Sequence, residues 1–130
     1  MFGNTDVTTM ATIKSFSDLN QSKVLAKILP PETADMCIGN YVGKSGEVDE
    51  TNIHYYPKGE SFGAPEIINA WSLAALLDIL PKVINNETLY IETSPTLWHI
   101  GYRDAYTVRA NNLFDACYEL ILELHEMNLL

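Results

Sequence analysis

Apolar positions in the second half of the chain follow two different periods. Leu113, Ala116, Cys117, Leu120, Ile121 and Leu124, continued by Met127, recur at three-and-four spacing and share one stripe of a helix. Asn112 just before them is a good N-cap, and Asp115 sets a carboxylate against the unpaired N–H groups of the first turn. Upstream, Leu73, Leu76, Leu77 and Leu80 mark a shorter apolar helix, capped by Ser72 and stopped by Pro81, which has no N–H to continue it. Between the two helices the period drops to two. Residues 89–93 alternate, Ser94, Pro95 and Thr96 turn the chain, and residues 97–102 alternate again with Trp98, Ile100 and Tyr102 together. This half therefore reads α-β-β-α. An isolated hairpin is marginal in water, so both helices are expected on one face of a sheet completed by other strands of the chain or of a second copy.

The first half is less regular. Ser17 or Asp18 caps a helix with Val24, Leu25, Ile28 and Leu29 on its inner face, and Pro30 and Pro31 end it. Residues 36–42 and 52–56 read as a short hairpin, with loops at 43–47 and 57–65. Residues 1–16 show no period and are expected to form a flexible N-terminal segment. The pattern thus predicts one α+β domain over 17–130, with about three helices packed on a small, mostly antiparallel sheet.

Charge narrows the function classes. Seventeen acids against eight bases give a net charge of −9, which repels a phosphate backbone, so nucleic acid is not an expected direct ligand. The excess lies mainly in residues 66–130, with nine acids and three bases. No apolar run approaches the roughly 18–20 residues that span a bilayer, and no basic-then-apolar leader opens the chain. No membrane association is expected, and the expected location is cytoplasmic. Two cysteines, Cys37 and Cys117, have no C-x-x-C spacing and read as reduced thiols, with Cys117 on the buried stripe.

The candidate chemistry is sparse. His54, His99 and His125 show no metal-ligand spacing, and no cofactor or metal is expected. His125 suits the negative end of the last helix, and His99 alternates out of phase with Trp98 and Ile100. Cys37, His54 and Asp35 are the one nucleophile set that can be assembled, and it needs the 36–56 hairpin to bring them together. Gly39 to Ser45 echoes a phosphate loop but has three residues between its glycines where the motif needs four. The feature of most weight is the acidic face of the last helix, Asp115, Glu119 and Glu123 at every fourth position with Glu126 nearby. Like charges at that spacing each cost about 0.2–0.5 kcal/mol. That face, with Tyr55 and Tyr56 as amphipathic contact area, is the candidate surface for a basic partner.

Leu29-Pro30 with residues 33–36, the block from Ala70 to Leu73 leading to Leu80-Pro81, the strand with Trp98, Ile100 and Tyr102, and the ending from Leu124 resemble small uncharacterised proteins of phages, prophages and mobile elements of Bacteroides-type bacteria. From Trp71 onward the order of elements is also similar to the phage ABA sandwich domain. Neither resemblance brings a catalytic motif. Together these readings predict a small accessory or regulatory protein that acts by protein binding without catalysis. A self-associating structural subunit is the alternative, and a Cys/His-dependent enzyme the weakest reading.

Overall fold

The computed structural model describes residues 14–42, 48–60, 66–103 and 106–130, with the side chains of 40–42 and 48–52 outside that description. The architecture is α+β, as the hydrophobic pattern predicts, but the single expected sheet is two antiparallel sheets. They belong to two compact units, Phe16–Ala75 and Met1–Ser15 with Leu76–Leu130.

The first unit opens with α1, Leu19–Ile28. Asp18 forms a reciprocal capping box: its carboxylate accepts from the Gln21 N–H at 2.8 Å, and the Gln21 side chain accepts from the Asp18 N–H at 3.2 Å. The buried stripe is Leu19, Ser22 and Leu25, followed by Leu29. Val24, expected to face inward, is exposed, because the stripe runs through a polar residue that periodicity discounts. Ser22 is tolerated inside since its hydroxyl meets that of buried Ser17 at 2.7 Å. After a 3₁₀ turn at Pro31–Thr33 come β1, Met36–Val42; β2, Val48–Pro57; and β3, Glu66–Ala70, in the order β2-β1-β3. The hairpin of residues 36–42 and 52–56 is present as β1 and β2. β3 had no signal, being a five-residue strand without alternation.

Register assigns the faces. Ile38 lies opposite Tyr55 and Ile68, and Met36 opposite Ala70. Met36, Ile38, Ile53, Tyr55, Ile68 and Ala70 thus share a face and pack with Leu19 of α1. Cys37, Gly39, His54, Tyr56, Ile67 and Asn69 take the other face. The chain ahead of α1 is tied back. Phe16 bridges to Ser72, the Ser17 N–H donates to the Trp71 carbonyl at 2.9 Å, and the Trp71 N–H donates to the Ser17 hydroxyl at 3.0 Å. The flexible segment expected over 1–16 lies outside the described residues except at its end, where Lys14 and Phe16 have defined contacts.

α2, Leu73–Ile79, leads into the second unit, with the Ser72 hydroxyl accepting from the Ala75 N–H at 3.2 Å. Then β4, Val83–Ile84; β5, Glu87–Thr93; β6, Trp98–Tyr102; and β7, Tyr106–Ala110 form a meander in chain order. The predicted hairpin is its β5–β6 centre, completed from the same chain by β4 and β7. Asn85 and Asn86, at φ 51° and 67°, form the two-residue β4–β5 turn, which asparagine enters at less cost than most residues. α3, Leu113–Glu126, lies on β6 and β7. Ile100 and Tyr102 are fully buried, and the Tyr102 hydroxyl donates to the Pro81 carbonyl.

Gly101, opposite Tyr90 and Thr107, is required by its surroundings. A Cβ there would sit 1.9 Å from the Tyr106 carbonyl oxygen and 2.7 Å from the Thr107 Cα. With no side chain between them, the Tyr90 and Thr107 hydroxyls meet at 3.2 Å across the glycine.

Candidate partner-binding surface

The acidic face is built on α3, whose ends are both locally determined. Asn112 accepts from the Asp115 N–H at 2.8 Å and donates from its amide to the Asp115 carboxylate at 2.9 Å. At the other end Met127 is the C-cap and Asn128 adopts φ 58°. The Asn128 N–H donates to the His125 carbonyl at 3.1 Å and the Leu129 N–H to the Leu124 carbonyl at 2.9 Å, a Schellman closure. Met127 therefore ends the helix and lies exposed, where the stripe alone would have continued through it.

The buried side of α3 is wider than the predicted stripe. Phe114 and Tyr118 are buried together with Ala116, Cys117, Leu120, Ile121 and Leu124, whereas Leu113 is half-buried. Burial pushes the Cys117 thiol up to about 12 and the Tyr102 phenol likewise to about 12. In both cases the folded protein holds the neutral form after the unfolded chain has ionised. For Cys117 the associated stability is present below about pH 9 and is lost as pH rises toward about 12. The slope is about 1.4 kcal/mol per pH unit for such a group. Urea unfolding of the Cys117→Ala variant is expected to lack this part of the alkaline decline, and an unchanged decline would refute the assignment.

Glu119, Glu123 and Glu126 are exposed on the opposite side, and among the described residues no ion pair engages them. Asp115 differs. Besides its capping contacts, its carboxylate lies 3.1 Å from the Lys14 ammonium, which also sits 5.7 Å from the centre of the Phe114 ring. The first member of the acidic series is thus committed to holding the helix start, and three remain outward. His125 lies exposed in the last turn, where its side chain suits the helix dipole.

Tyr55 and Tyr56 belong to the other unit and to opposite faces of its sheet. The Tyr55 ring stacks on Phe16 with centroids 4.4 Å apart, its hydroxyl donates to the Ser17 carbonyl at 2.9 Å, and burial raises its pKa, with the Asp18 charge adding to the effect. It is a packing residue. Tyr56 lies on the Cys37 side, 6.4 Å from the His54 ring.

The Cys37, Asp35 and His54 set is only partly assembled. Cys37 and His54 share a sheet face at diagonal positions, since their direct partners are Tyr56 and Gly39. The buried Cys37 thiol turns to the Glu60 carbonyl at 3.1 Å and the Pro57 carbonyl at 3.6 Å. The Asp35 carboxylate accepts from both the N–H and the hydroxyl of Ser72. The thiol is buried and already engaged by two carbonyl oxygens, so native Cys37 is expected to react with iodoacetamide far more slowly than the unfolded chain. A rate above that of a free thiol would reinstate the nucleophile. Gly39 lies inside β1, and the remaining glycine-loop positions 43–45 are outside the described residues.

Among the described residues, no three His, Cys, Asp or Glu groups are placed to hold a metal ion, and no helix is long and apolar enough to cross a membrane. One open groove of about 420 Å³ is lined by Asp18, Leu19, Asn20, Ile53 and Tyr55. A second, of about 330 Å³, runs along residues 86–90 and Arg103. Neither joins a nucleophile to a base. His99, opposite Glu92 and Arg109, is half-buried on the sheet face away from Ile100, and its Nε2 has no hydrogen-bond partner. Periodicity did not reveal that, among the described residues, β5 has no strand partner on its outer side beyond Leu89, because that follows from β4 being only two residues long.

Comparison with protein families, curated proteins and solved structures finds no match.

Proposed function

We propose that this chain is a small acidic accessory or regulatory protein of a phage or mobile element, acting by binding a basic protein partner and not by catalysis. The observation that carries the reading is the outward side of α3, where Glu119, Glu123 and Glu126 are exposed without an ion pair among the described residues. Spacing of four along a helix keeps the first two within one turn of each other, so their repulsion is relieved when a cationic surface approaches. The net charge of −9 adds a long-range field that speeds encounter with such a partner. The resemblance to phage and mobile-element proteins supports the biological setting.

Capture on tagged protein from lysate of the native host, at low and moderate salt, tests the class of partner. One basic protein retained at low salt and released as the Debye length shortens is the expected result. Recovery of this chain alone would favour a self-associating subunit and overturn the proposal.

A further inference from the structure

The outer edge of β5 is a second, independent surface. The Ser94 N–H donates to the Leu97 carbonyl at 2.9 Å, which closes the β5–β6 turn and makes residues 94 and 97 a hydrogen-bonded pair. In an antiparallel ladder such pairs alternate, so Glu92 and Tyr90 direct their backbone groups to β6 while Thr93 and Ile91 direct theirs away from it. The Leu89 N–H confirms the phase: it points outward and donates to the Lys82 carbonyl at 2.9 Å. β4 covers β5 only at Glu87 and Thr88, and Leu89 is held by Lys82. Among the described residues, the outward N–H and C=O groups of Ile91 and Thr93 have no backbone partner. Residues 91–96 are exposed.

The side chains bordering this edge select what joins it. Ile91, 42% exposed, and Trp98, 36% exposed, are diagonal neighbours on one face and offer apolar area. On the other face Glu92 is exposed, and no ion pair engages it among the described residues. Arg109 stands two strands away across His99. A second copy fits poorly. Pairing that uses Ile91 and Thr93 of both chains places Glu92 against Glu92 at the closest rung, and like charges directly opposite are destabilising. Shifting the register one way brings in Leu89, which Lys82 already occupies, and shifting it the other way sets Ile91 opposite Pro95, which has no N–H to donate.

We propose that the open edge of β5 takes up an extended segment of a partner protein carrying lysine or arginine opposite Glu92 and apolar residues opposite Ile91 and Thr93. The segment extends the meander as another strand, making up to about four backbone hydrogen bonds. Its apolar side chains lie beside Ile91 and Trp98, and its cation meets Glu92. This surface is separate from the outward side of α3, and either can fail alone.

The test is an amide NMR titration of the full chain with two capped pentapeptides, Thr-Val-Lys-Val-Thr and Thr-Val-Glu-Val-Thr. The lysine peptide is expected to shift the Ile91 and Thr93 amides and to bind about fivefold more tightly than the glutamate peptide, the ratio for one cross-strand charge pair. Glu92→Lys should reverse the order. Thr93→Pro removes an outward N–H and no β5–β6 bond, so it should keep the circular dichroism spectrum and lose the peptide. Equal affinity for the two peptides, shifts confined to other residues, unchanged binding by Thr93→Pro, or dimerisation through β5 would each overturn the proposal.

Discussion

Alanine at Gly101 is expected to destabilise the protein by about 3 kcal/mol or more, at the upper end of what overpacking costs, because the obstruction is backbone and cannot rotate away. The added Cβ would meet the Tyr106 carbonyl oxygen at 1.9 Å and the Thr107 Cα at 2.7 Å. Relief requires β6 and β7 to separate, and those are the strands on which α3 lies. The same methyl would press between Tyr90 and Thr107, whose hydroxyls meet across this position. Gly59 is the internal control. Its φ of 91° disfavours a side chain but nothing lies within 4 Å, so Gly59→Ala carries only a backbone cost of about 1–2 kcal/mol. Urea midpoints separate the two, and a Gly101→Ala midpoint at the wild-type value would show that the strands are not held this close.

Trp71→Ala is expected to cost about 3–5 kcal/mol, the range for emptying a buried aromatic site. Trp71 is wholly buried, and its indole N–H donates to the Thr33 hydroxyl at 3.0 Å. Its backbone is latched on both sides by Ser17. The side chain thereby joins the end of β3 to the turn after α1, and the backbone joins it to the residues before α1. Trp71→Phe keeps most of the apolar contact and loses the indole bond, so a loss of about 1 kcal/mol from that bond is expected. Equal losses for the two variants would mean that the hydrogen bond, not the buried ring, dominates.

How much of this was legible follows from which contacts are local. Helix positions were readable because caps and stops lie within a few residues of what they control: Asp18 with Gln21, Asn112 with Asp115, and Pro30 and Pro81 after their helices. The hairpin of residues 89–102 was readable from alternation, and that of residues 36–56 from short apolar stretches bounded by glycine- and proline-containing loops. β3 and β4 were not, since β3 does not alternate and the two residues of β4 leave no period to detect, and pairing alone makes them strands. Phe114 and Tyr118 fell outside the predicted stripe because α3 buries more than one narrow seam.

The candidate surface was half legible. Glu119, Glu123 and Glu126 are outward as their spacing required, whereas Asp115 is engaged by Lys14, about a hundred residues away in sequence, which no local pattern reveals. Tyr55 and Tyr56 could not have formed one patch, since neighbours on a strand point to opposite faces. That constraint was already present in the strand assignment. The open edge beside Glu92 had no local signature, because it depends on how far β4 extends.

The central claim is that the outward side of α3 binds a basic partner. Its most direct test is side-by-side capture by the wild type and by a Glu119→Lys/Glu123→Lys variant, with circular dichroism and urea unfolding to check the fold. The account predicts a basic protein bound by the wild type and absent from the folded variant. Retention of the same protein by both would contradict it.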